Sequence, residues 1–140
     1  MTKLLLQGES YEAGDDVRYA IELVTDTYGA RTGHSSGHAE GPRVVFVFPN
    51  GQEVQIAFNR KDLVMVVCDR TADGRSLSKL LPETWIKRVY PRDGKAGSAL
   101  MSGKAPTLRP SPSNPVLRLR LRRDEVRQAL ALYLGLAAAR

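Results

Sequence analysis

The chain has 140 residues, of which 42% are apolar and 26% charged, and it carries a net charge of +6. That length suits one domain around one core, and the composition excludes wholesale disorder. Cys68, the sole cysteine, excludes an internal disulfide and a thiolate-built structural zinc site, and no segment approaches the ~20 apolar residues of a membrane span.

The charge is unevenly placed. Residues 1–42 hold 3 Lys/Arg against 7 Asp/Glu, residues 43–75 hold 5 against 4, and residues 76–140 hold 13 against 4. A basic C-terminal half of this kind points to nucleic acid, an acidic protein surface or anionic lipid as a partner. The opening Met1-Thr2-Lys3-Leu4-Leu5-Leu6 is too short an apolar run for a secretory leader, so a soluble, unprocessed, cytoplasmic protein is expected.

Taken in order, the apolar start reads as a strand. Asp15 and Asp16 then precede Val17, Ala20, Ile21, Val24 and Tyr28, an amphipathic spacing that predicts a helix over 15–29, with a start as early as Ser10 open. The two acids suit the positive end of its dipole. Residues 30–42, rich in Gly, Ser, Thr and His, read as a mobile surface loop. Arg43 to Phe48 and the alternating Val54, Ile56 and Phe58 flank Asn50-Gly51, the favoured two-residue hairpin turn. Leu63 to Cys68 is continuously apolar and predicts a strand covered on both faces. Ser76 caps a short helix ending before Pro82, and Trp85, Ile86, Val89 and Tyr90 fit a further helical face in a segment short enough to be a strand instead. Residues 91–115 contain five of the eight prolines and read as a second mobile loop.

The last quarter holds the strongest signal. Val116 to Arg123 alternates apolar and cationic residues, so on a strand Arg118, Arg120 and Arg122 project to one side, roughly 6.6 Å apart. A helix follows, with Asp124 and Glu125 in its first turn and Val126, Leu130, Tyr133, Leu134 and Ala137 on one face. The fold expected is α+β: an antiparallel β-meander of three to five strands packed with an N-terminal and a C-terminal helix, as one domain over 1–140.

The arginine comb, with Arg123 and with Lys95, Lys104 and Arg109 of the preceding loop, can follow a phosphate backbone. The competing structural reading is a solvated strand face, or an edge strand protected from aggregation. The basic strand followed by a helix could also pair with its own copy across a two-fold axis. Leu130, Tyr133 and Leu134 offer an apolar helix face that docks on this chain's own sheet or on another subunit.

Catalytic signatures are weak. His34 and His38 stand four apart near Glu40, but glycine and serine around them argue against a helix that would juxtapose them. The order of elements is compatible with a restriction-endonuclease-like core. Glu53-Val54-Gln55, however, ends in Gln where that core's signature has Lys, and Asp62 and Asp69 lie about 20 Å apart along a strand. Cys68 sits in an apolar strand where a thiol is inert, and neither Gly-x-Ser-x-Gly nor a phosphate-binding loop occurs. The sequence therefore predicts a non-catalytic accessory or regulatory protein, without cofactor or metal, that engages nucleic acid or a nucleoprotein complex. A protein-interaction or assembly subunit, homodimeric or larger, is the main alternative; a nuclease is third.

Overall fold

The hairpin over residues 41–57 organises the main sheet. In the computed structural model, which describes residues 2–6, 9–38, 41–58, 62–91 and 105–136, β4 (Gly41–Val47) and β5 (Glu53–Ala57) pair antiparallel with Val47 opposite Glu53. The connection is three residues, not two. Phe48 C=O accepts from Gly51 N–H at 2.9 Å, and Gln52 C=O accepts from Phe48 N–H at 2.8 Å. Pro49 fixes the φ that the second residue of a β-turn needs, so the turn starts one residue early, and Gly51 takes the left-handed position at φ +92°.

Every residue of β6 (Leu63–Cys68) is buried, as its unbroken apolar run predicts, and it pairs with β5. Its other neighbour is β8 (Val116–Leu121), and β7 (Ile86–Tyr90) lies outside β8. With β3 (Arg31–His38) beside β4, the antiparallel sheet has the order β3-β4-β5-β6-β8-β7. A separate hairpin joins β1 (Thr2–Leu6) to β2 (Glu9–Ala13).

Helix α1 (Asp15–Glu22) continues as a π-helical turn over Leu23–Thr27. Helix α2 (Arg123–Tyr133) begins where the Glu125 carboxylate accepts the Arg122 N–H at 2.8 Å. Val17, Ala20, Ile21 and Val24 of the first helical segment and Val126, Ala129, Leu130 and Tyr133 of α2 join one core with Phe46, Ile56, Met65, Leu117 and Leu119 of the sheet. The arrangement is α+β, with six strands in the main sheet.

Several expectations give way to the structure. Residues 31–38 form β3 instead of a loop, because pairing along β4 supplies the hydrogen bonds that their own weak strand propensity does not. The strand bulges between Thr32 and His34, where a Cβ on Gly33 would stand 2.9 Å from Val47 Cγ2. Glu9–Ala13 is strand, so α1 starts at Asp15 and not near Ser10. The expected helix at 76–81 shrinks to a 3-10 turn at Leu77–Lys79, and the expected helix at 85–90 is β7. A register shift at Lys87 places Ile86 opposite Leu119 and Val89 opposite Leu117, so a bulged strand takes on an apolar spacing of three that imitates a helix.

The proline-rich segment divides. Residues 92–104 lie outside the described residues, with Lys95 and Lys104 among them. The later part is packed: Pro106–Leu108 is a 3-10 turn, Ala105 and Leu108 are fully buried, and Thr107 donates its N–H and Oγ to Glu53 Oε1 at 2.9 and 2.6 Å.

Candidate functional site

Strand alternation on β8 buries Leu117, Leu119 and Leu121 against the helices, which leaves Arg118 and Arg120 on the opposite face. The comb exists, but β8 is an interior strand flanked by β6 and β7. It therefore neither guards a sheet edge nor offers an edge for pairing with a second copy.

The four arginines do different things. Arg118 is half-buried, opposite Val66 on one side and Arg88 on the other. Arg120 reaches Asp62, Nε to Oδ2 3.4 Å, with its side chain 61% exposed. Arg122 is exposed at the start of α2. Arg123 turns toward the helices instead: its Nε is 3.1 Å from Asp16 Oδ1 and its guanidinium lies 5.6 Å from the centre of the Tyr19 ring. That side chain ties α2 to α1 and leaves the comb.

Arg88 takes its place. It is exposed on β7 directly opposite Arg118, a neighbour hidden from the sequence by the helical reading of residues 85–90. A strand reading of Lys87-Arg88-Val89-Tyr90 would have put Arg88 and Tyr90 on one face. Among the described residues, Arg88, Arg118 and Arg122 form no ion pair.

Arg109 stands elsewhere, at a pocket of about 780 Å³ near the ends of β6 and the β4–β5 turn. Gln52, Cys68, Arg70, Thr71, Pro106, Pro110, Ser111, Asn114 and Tyr133 also line it. Its walls are cross-linked. The Asn114 amide donates to the carbonyls of Thr107 and Arg109 at 3.1 and 2.9 Å, while its Oδ1 accepts from Cys68 Sγ at 3.1 Å. Gln52 Nε2 donates to the Tyr133 carbonyl at 2.8 Å. Burial pushes the Cys68 thiol above its ordinary pKa, and the nearby Arg70 charge pulls the other way.

The residues expected at a protein interface lie inward. Leu130 and Tyr133 are 1% exposed, and Leu134 packs partly against the same core. The Tyr133 hydroxyl donates to the Glu53 carbonyl at 2.7 Å, and its ring meets Phe48 edge-on at 6.5 Å. This helix face serves the chain's own sheet, which withdraws it as a docking surface. Among the described residues the exposed large apolar side chains are Val89 and Leu136.

Of the acids offered for metal chemistry, Glu40 lies outside the described residues and the other three are engaged. Glu53 holds Thr107, Asp62 pairs with Arg120, and Asp69 accepts from Ser76 Oγ, Ser78 Oγ and the Ser78 N–H. His34 and His38 belong to β3, where a spacing of four places their backbones about 13 Å apart. No helix among the described residues is long and apolar enough to cross a membrane. Comparison with protein-family models, curated proteins and solved structures finds no match for this chain.

Proposed function

We propose that this chain is a small binding protein that engages nucleic acid, alone or within a nucleoprotein complex, through the outer face of β7 and β8. The observation that supports the reading is the cross-strand pair Arg88–Arg118. Like charges directly opposite on a sheet destabilise it, so the arrangement is costly until an anion lies across both guanidiniums. Arg122 extends the unpaired positive surface to the start of α2, past Arg120 with its partner Asp62.

Contacts of this type go to phosphates, so the binding is expected to be strongly salt-dependent and weakly sequence-specific. A single cysteine suits a reducing, cytoplasmic setting.

The test is a titration with short single- and double-stranded DNA and RNA over a salt series, comparing wild type with a variant in which Arg88, Arg118 and Arg122 are all alanine. Each lost phosphate contact flattens the plot of log K against log salt by about 0.7–0.9, so the triple variant should lose about 2–3 in slope. Circular dichroism checks that the fold is kept. Wild type that binds no nucleic acid at low salt, or a variant with an unchanged slope, overturns the proposal and leaves protein assembly as the reading to test next.

A further inference from the structure

We infer that the pocket between Cys68, Asn114 and the 3-10 turn at Pro106–Leu108 binds a small molecule bearing an oxyanion on an apolar body, with Arg70 and Arg109 holding the oxyanion. This goes beyond the nucleic-acid reading and uses different residues. The pocket's volume of about 780 Å³ is that of a small-molecule site, which is commonly about 300–1,000 Å³.

Its charge is one-sided. Both arginines are exposed, neither forms an ion pair among the described residues, and no Asp or Glu is among the described lining residues. The acids beside Arg70 in sequence are already occupied. Asp69 accepts from Ser76 and Ser78, while Asp73 accepts from the Thr71 hydroxyl and pairs with Arg75 at 2.9 Å. Neither carboxylate forms an ion pair with Arg70 or Arg109, and the Asp69 charge reaches the pocket only from behind its serine partners. Two planar, permanently charged forks then remain for a carboxylate, sulfonate or phosphate.

The remainder of the wall is built for an apolar body. Pro106 and Pro110 present rigid rings, and Cys68 behaves as a small hydrophobe whose weak donor is satisfied by Asn114. The cross-links from Asn114 and Gln52 hold this wall in place, so little ordering is needed on binding. Cys68, the sole cysteine, also provides a reporter inside the pocket.

Two probes separate the oxyanion from the apolar body: 8-anilinonaphthalene-1-sulfonate and its neutral counterpart N-phenyl-1-naphthylamine. The sulfonate should saturate a single site and slow alkylation of Cys68 by N-ethylmaleimide in step with occupancy. It should bind about tenfold or more tightly than the neutral amine, and Arg70→Gln with Arg109→Gln should remove that advantage. Undiminished Cys68 alkylation at saturating sulfonate overturns the assignment. So does equal affinity for the two probes on wild type, a comparison that does not depend on how the variant folds.

Discussion

Replacing Arg88 by Gln should make the protein more stable at low salt, an unusual outcome for the loss of a charged side chain. Arg88 and Arg118 are directly opposite on β7 and β8, and facing positions on an antiparallel pair hold their Cβ atoms about 5 Å apart. With guanidiniums at about 6 Å, Coulomb repulsion in water is about 0.7 kcal/mol, and it rises wherever Arg118 is shielded from solvent. Gln keeps part of the aliphatic stem and its packing while removing the charge. Allowing for side chains that swing apart, a gain of about 0.5 kcal/mol is expected near 20 mM salt. For a urea dependence of about 1–3 kcal/mol per molar, this moves the midpoint up by about 0.2–0.5 M. At about 1 M salt the screening length falls to about 3 Å, and the two proteins should unfold together. The assay is urea unfolding of both proteins at the two salt concentrations. A variant less stable than wild type at low salt, or a difference unmoved by salt, would show that the two charges do not strain one another and would remove the main support for an anionic partner.

Two further outcomes probe the core and the pocket. Tyr133→Phe deletes the buried hydroxyl that donates to the Glu53 carbonyl and should cost about 1–2 kcal/mol in urea unfolding; a change near zero would mean that this bond contributes nothing net. Burial raises the Cys68 pKa and so disfavours the thiolate, and the alkylation rate should therefore keep climbing above pH 9.0, where an ordinary thiol is already half ionised; a plateau below that pH would contradict the burial.

How much was legible depends on whether the signal was local. Leu63–Cys68, the hairpin strands on either side of Gly51 and the apolar face of α2 announced themselves because their burial patterns repeat over five or more consecutive residues. β3 did not, since its residues 31–38 owe their strand to the ladder with β4 and not to their own preferences. β7 resembles a helix in sequence because the shift at Lys87 replaces a period of two with a spacing of three. The same spacing hides Arg88 from its partner Arg118, while the alternation of β8 puts Arg118 and Arg120 on one face. Arg123 was beyond reach of the pattern, because its partners Asp16 and Tyr19 are more than a hundred residues earlier. The pocket was also invisible, as it is assembled from the β4–β5 turn, the end of β6 and the segment at 106–114.

The order β6-β8-β7 also dictates a schedule for synthesis. β7 leaves the ribosome before β8 but has no place in the sheet until β8 pairs with β6. While residues 116–133 are still in the exit tunnel, β6 presents six apolar residues on an open edge, and the core face lacks α2 as a cover. An apolar edge of that kind recruits other strands. A chain cut before β8 leaves that apolar strand on an open edge, and the fragment is expected to aggregate instead of forming a smaller stable fold.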